Sequence, residues 1–304
     1  MSSVYKTIAS NNRKTFFLIL SFALLILGLG WIFSYIFNSY LILIIAGIIS
    51  FIQAFLSYWY SDKIVLSLSG AKPIEKKDNP YIYRIVENLA ITAGLPTPSI
   101  YIINQPQPNA FATGRDKNHS AIALTQGLLN KLEKSELEGV IAHELSHIKN
   151  KDILLASTIV VLVGLVALAS QLFIRSLFWF GTGRKNEKQG GLGIIFLVLA
   201  IIGIILAPLV AQIIQLAISR KREFLADSSA VLLTRYPEGL IKALKKISAD
   251  QNPLKGANAS TAHLYIANPF RGKEKNSWFI KLFSTHPPVE ERIAALEKMS
   301  KGDI

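Results

Sequence analysis

The sequence contains no cysteine. Disulfides and thiolate-held metals are therefore excluded, and any bound metal must take histidine or carboxylate ligands. Histidine is itself scarce, with 5 in 304 residues. Acidic residues are in deficit, 20 against 33 lysines and arginines, for a formal charge of +13. Charge of either sign is missing altogether from residues 15–61, 153–174 and 191–219. Buried helices of soluble proteins rarely run so far without a charge, whereas a hydrocarbon core of ~30 Å demands about 20 apolar residues per helix.

The first charge-free run accommodates two spans, one on each side of the polar break "FNSY". Four transmembrane helices in two hairpins are therefore expected. The first run is longer than a signal-peptide core, lacks a small-x-small cleavage site and passes straight into the second span, so it reads as an uncleaved anchor. The basic residues give the orientation. With the N-terminus inside, the inner segments hold Lys6, Arg13, Lys14, eleven more in 62–152 and fifteen in 219–304, against four in the outer turn. That is the positive-inside bias of a multi-pass plasma-membrane protein with its polar half in the cytoplasm. The basic "RKNEK" stretch in the outer turn works against it. No nucleic-acid motif is present, and no nucleic-acid partner is expected.

Four segments follow: a hairpin over 1–61, a polar half over 62–152, a second hairpin over 153–218 and a second polar half over 219–304. Within the polar halves, "NPYIYRIVENLAITAGL" has helical spacing and stops at Gly94 and Pro96. "SIYIINQ" and "HSAIALTQGLL" read as strands, with "NAFATG" a third between them. "SELEGVIAHELSHIKN" reads as a helix capped by Ser135 with Glu138 three residues on. "RKREFLADSSAVLLTRYPEGLIKALKKIS" reads as two helices broken at Tyr236–Pro237, residues 251–277 as a loop, and "HPPVEERIAALEKM" as a closing helix. No internal repeat appears. The fold class expected is α+β and predominantly helical: an integral membrane protein with a small antiparallel sheet.

The chemistry lies in "AHELSHIKNKD". His143 and His147 are four apart and share one helical face, so their imidazoles can converge on one metal ion. Glu144 is turned aside, within reach of a metal-bound water without ligating the metal. The bland alternative is two incidental histidines in a helix. A catalytic zinc needs a third protein ligand. Three further histidines (His119, His263 and His286) and several acids compete for that role, but Glu223 has a topological advantage. A hairpin returns the chain to the side it left, so the end of the His143 helix and the start of the Glu223 helix meet at the inner membrane surface. Asp227 returns with it, one helical turn on, and can orient a ligating imidazole. Otherwise Glu223 is a surface acid balanced by Arg220, Lys221 and Arg222.

"AHELSHIKNKD", "NAFATG", "SRKREFLAD" and "HPPVEER" together resemble the HtpX-type membrane zinc peptidases, relatives of the CAAX prenyl proteases, in the same order along nearly the whole chain. The resemblance implies a gluzincin-like catalytic domain that holds one zinc ion on His143, His147 and Glu223. It implies Glu144 as base, Asp227 as outer partner, and His286 and Arg292 beside the reacting carbonyl. It also favours Asn109, Ala110, Phe111, Ala112, Thr113 and Gly114 as an edge strand that receives extended peptide. The activity implied is cytoplasmic proteolysis of misfolded or damaged membrane proteins in quality control. Two rivals stand beside it. A catalytically silent zinc-binding scaffold has no use for Glu144. A transporter would carry ionisable residues within its spans, and these have none.

Overall fold

The computed structural model describes residues 2–181, 220–250, 252–254, 260–270 and 287–301. Two long helices open the chain, α1 (Ser2–Ile36) and α2 (Tyr40–Trp59). The stretch Ala9–Ile36 and the whole of α2 are each long and apolar enough to cross a bilayer, by length and composition. Their large side chains face outward, with Phe17 60%, Trp31 63% and Phe51 71% exposed, which suits helices whose solvent is lipid. The pair packs closely: a Cβ on Gly30 would lie 2.2 Å from that of Ala46.

A short helix α3 (Ser61–Leu68) leads into strand β1 (Ala71–Pro73) and helix α4 (Pro80–Ala93). Asn79 caps α4 by accepting the Ile82 N–H at 3.1 Å, Pro80 supplies a preset φ at its first turn, and left-handed Gly94 ends it. Strands β2 (Ser99–Ile103), β3 (Ala110–Asp116) and β4 (His119–Thr125) come next, then α5 (Gln126–Lys131), α6 (Lys134–Lys149) and α7 (Asp152–Gly181). From residue 220 on lie α8 (Arg220–Thr234), α9 (Pro237–Ala249), a 3₁₀ turn at Ala262–Leu264 and α10 (Val289–Ser300). The fold is mostly helical with one small sheet.

That sheet is mixed, not purely antiparallel as expected. Its order is β1-β2-β4-β3, with β2 parallel to β4 and the other pairs antiparallel. Residues 104–109 carry the chain past the neighbouring position to the far edge, so β4, folding back along β3, fills the gap beside β2. Asn109 fixes that crossing: its backbone N–H donates to Thr125 Oγ1 at 2.8 Å and its side chain to the Ala267 carbonyl at 2.8 Å. Side chains alternate between two apolar layers. Ile100, Ile122 and Leu124 face α4 and α6, while Ile103, Phe111 and Ala123 face α3 and α7. Burial on both faces is the environment in which parallel pairing is found. β3 is the terminal strand. Gly114 has φ +144, and an added Cβ would stand 2.4 Å from the His119 carbonyl oxygen, so only glycine fits.

Other expectations shift in detail. "QGLL" is helical, continuing "HSAIALT" as α5 rather than as strand. Helix α6 starts at Lys134 with Glu133 as its cap, and Glu136 rather than Glu138 accepts the Glu133 N–H, at 2.8 Å. Glu136 is held in place by Lys246 at 2.8 Å. Part of the expected loop is core: Ala262, Tyr265 and Ile266 are each at most 2% exposed, and Ile266 N–H donates to the Ala110 carbonyl on β3 at 3.0 Å. The apolar residues of this stretch drive it inward, and its lack of regular periodicity hides that from sequence. The break between α8 and α9 falls at Tyr236–Pro237 as expected. Helix α7 covers the charge-free run 153–174; residues 191–219, expected as the other limb of a second hairpin, lie outside the described residues.

Candidate active site

Helix α6 carries the two histidines through the middle of the molecule. Its flanks pack on the sheet through Val140 and Ile141, both 0% exposed. At Lys151, with φ +55, the chain turns sharply, and α7 leaves at 85° to α6. Helix α8 packs across α6 from the other side, with Glu223 in its first turn. The site is thus a corner where α6 meets α7 and α8 closes over them.

The donor atoms converge. His143 Nε2 and His147 Nε2 are 3.2 Å apart. Glu223 offers Oε2 at 3.7 Å from the first and Oε1 at 3.7 Å from the second. One ligand atom from each residue lies within 4.8 Å of the others. The far nitrogens are both engaged. His143 Nδ1 lies 2.9 Å from Asp227 Oδ1, and His147 Nδ1 lies 3.1 Å from Asp152 Oδ2. A carboxylate can only accept, so each Nδ1 carries the proton, and the two Nε2 lone pairs face each other. Two lone pairs at that separation repel unless a proton or a metal ion lies between them. Imidazoles tetrahedrally bound to zinc at ~2.0–2.1 Å would have nitrogens about 3.3 Å apart. The residues present fit such an ion.

The electrostatics agree. Burial disfavours a charge on His147, yet the hydrogen bond to Asp152 and the charges of Glu223, Asp152 and Glu144 overcome it and raise its pKa from 6.5 to about 9. The same carboxylates that favour this proton favour a metal cation. Burial likewise works against Asp227, but Arg292 and His143 outweigh it and hold its carboxyl below the usual range. Arg292, 0% exposed, grips Asp227 as a fork, Nε to Oδ2 at 2.8 Å and Nη2 to Oδ1 at 2.6 Å. It also reaches the Ile266 carbonyl at 3.3 Å and stands 3.9 Å from Glu223. Glu144 is 2% exposed, close enough for its charge to act on both His147 and Arg292.

The structure therefore gathers His143, Glu144, His147, Glu223, Asp227 and Arg292. The guanidinium of Arg292, expected beside the reacting carbonyl, is committed to Asp227. His286 lies outside the described residues. Neither of the other two histidines is here: His119 is exposed beside Asp116, and buried His263 bonds the Ala156 carbonyl through Nε2 at 3.1 Å. Asp152 is the residue that sequence reasoning missed. A signal existed, for it is a lone acid at the head of the charge-free run 153–174, five residues after His147.

Peptidase family M48 matches over residues 76–300, most of the chain. The chain belongs to peptidase family M48. Among proteins similar to it, a Protease HtpX homolog of Caldanaerobacter subterraneus subsp. tengcongensis is 42% identical over 300 residues, covering 98% of each chain. Homologs of the same name from Dictyoglomus turgidum, at 44% over 298 residues (98% of this chain and 95% of the other), and from Lactobacillus acidophilus, at 44% over 304 (97% and 100%), align as completely. A crystal structure of S. mikatae Ste24p superposes with a TM-score of 0.50 at 20% identity, covering 96% of this chain and 67% of that one. It shows a shared fold. This M48 member is a metalloprotease with membrane helices, and His143, His147 and Glu223 form a possible metal site within it.

Proposed function

We propose that the protein is a zinc endopeptidase of the plasma membrane that cuts misfolded or damaged membrane proteins on the cytoplasmic side. The observation that carries this reading is the pair of inward imidazole nitrogens at 3.2 Å with Glu223 at 3.7 Å from each. Bound zinc, one ion per chain, supplies a Lewis acid toward the scissile carbonyl and the attacking water. Glu144, adjacent to His143 but turned aside from the ligand face, takes the water's proton and passes it to the leaving amine. Asp227 and Asp152 hold the imidazoles with Nε2 inward, and Arg292 neutralises Asp227 so that it stays ionised. The likeness to the HtpX-type enzymes supports His286 as a donor to the developing oxyanion.

Of residues 109–114 at the sheet's edge, Asn109 and Ala110 already bond Ala267 and Ile266. An extended peptide therefore adds as a further strand along the remainder, Phe111 to Gly114. In this reading 1–61 and 153–218 are the membrane hairpins, and 62–152 with 219–304 make the cytoplasmic catalytic half. A silent zinc-binding scaffold is the alternative, and a buried Glu144 beside the metal face argues against it. Casein digestion by full-length protein in detergent, with and without chelator, tests the reading. We expect chelator to stop cleavage. Glu144→Gln should cut turnover by roughly 10³-fold, within the usual range for a general base, while zinc stays near one per chain. Chelator-insensitive cleavage would defeat the metal reading, and normal turnover in Glu144→Gln the base assignment.

A further inference from the structure

The two proposed histidine ligands are braced differently. His143 leans on Asp227, which Arg292 holds from α10, on the soluble side. His147 leans on Asp152, and Asp152 is held from α1. Its Oδ1 accepts from Asn11 Nδ2 at 2.7 Å, while its Oδ2 faces His147. Asn11 lies on α1, within the apolar stretch that begins at Ala9. It is 2% exposed, although its neighbours Asn12, Arg13 and Lys14 are exposed. Its amide is used at both ends, since the oxygen accepts from Arg222 Nη1 at 3.4 Å and the nitrogen also approaches the Asn150 carbonyl at 3.5 Å. Arg222 precedes Glu223 and stands 3.6 Å from Asp152 Oδ1. Four helices, α1, α6, α7 and α8, thus meet on one carboxylate.

A fully buried amide is costly unless it is paired, so its use here calls for a reason. Packing alone does not supply one. Thr15, the next buried polar residue one turn along α1, bonds only its own helix, Oγ1 to the Asn11 carbonyl at 3.0 Å. Asn11 instead spends its donor on the carboxylate that sets the tautomer of His147. His147 is also the more open of the two imidazoles, its side chain 16% exposed against 1% for His143. It therefore depends more on that outer bond for its orientation.

We propose that Asn11 is a positioning residue of the metal centre: through Asp152 it fixes the ring of His147, which makes the first membrane helix part of the site. This rests on His147 being a zinc ligand. The test follows zinc release from full-length protein in detergent into a fluorescent chelator. Asn11→Leu, close in size and apolar, should release zinc at least tenfold faster, the loss typical for an outer-shell partner. Asp152→Asn should do the same, and Thr15→Val should match the wild type. The double variant Asn11→Leu/Asp152→Asn should be no worse than Asp152→Asn alone, because the two act along one path. With cobalt replacing zinc, the visible bands should shift in Asn11→Leu and Asp152→Asn and stay put in Thr15→Val. Wild-type release by Asn11→Leu, or losses that multiply in the double variant, would overturn the proposal. Should Asn11→Leu fail to fold, Asn11→Ser is read by the same two criteria. His147→Ala separates the two levels: if it holds zinc as the wild type does, the ligand assignment has failed; if it loses zinc while Asn11→Leu does not, only this proposal has.

Discussion

Arg292 is wholly buried and donates two bonds to an equally buried carboxylate. Removing one partner of such a pair costs far more than removing both, because a lone buried charge remains. Arg292→Met should therefore cost about 3–5 kcal/mol, read as a lowered melting temperature. Adding Asp227→Asn should recover part of that loss; equal melting of wild type and Arg292→Met would contradict it. At His147 the sign of the pH effect follows from its raised pKa. Protonation stabilises the metal-free fold fully below 6.5, and that contribution disappears as the pH climbs through about 9. A cation entering the pocket displaces the proton, so zinc uptake at pH 7 should release at least one proton. Apparent affinity should then rise about tenfold per unit between pH 6.5 and 8.5. Calorimetry in two buffers of different ionisation enthalpy counts the proton, and a flat affinity over that range would refute the displacement.

Helices α6 and α9 approach so closely that their backbones touch. A Cβ at Gly139 would lie 2.8 Å from Leu240 N, and one at Gly239 would lie 2.4 Å from the Ser135 carbonyl oxygen. Two effects compete in Gly139→Ala. Better helix propensity favours alanine by up to about 1 kcal/mol, while overpacking against rigid backbone costs about 1–3 kcal/mol. The atoms in the way are backbone and cannot swing aside, so the clash should win. We expect a lower melting temperature, and activity should fall with it, since Gly139 lies one turn before His143. A raised melting temperature would mean that α9 slides away freely. Elements with a strong local signal were legible: α4 between Asn79 and Gly94, and the α8–α9 break at Pro237. The order of the sheet was not, because pairing between β2 and β4 is set by where residues 104–109 cross, and no local pattern encodes that.

At the scale of the molecule, the sheet divides two environments. One of its faces packs on the helix α6, the other on α3 and α7. Thr113 of β3 ties them, sharing a 2.7 Å hydrogen bond with Ser157 of α7. An inward-facing catalytic half requires the 182–190 turn to lie outside. Each charge-free block exceeds the ~18 residues that crossing needs, so we expect both hairpins to span. Asn186→Cys should react with an impermeant maleimide added to intact cells, whereas Asn88→Cys, exposed on α4, should react only after permeabilisation. The reverse pattern would put the site outside, and silence at Asn186→Cys in intact cells would leave one hairpin short of the far face.

The sequence by itself determined the chemistry and its rough placement. Two histidines at helical spacing, an acid beside them and charge-free runs of membrane length are local patterns, and local periodicity carries them. The expectation of a returning hairpin also put Glu223 and Asp227 beside the histidines, where they lie. Tertiary structure decided what holds those groups still. Asp152 gains its role only from the 85° corner between α6 and α7, and Arg292 only from the depth at which α10 packs. The pairing of Asn11 with Asp152 joins residues 141 apart in the chain. Bonds over such separations depend on the relative placement of whole helices, a property of the packed molecule that no short stretch of sequence contains.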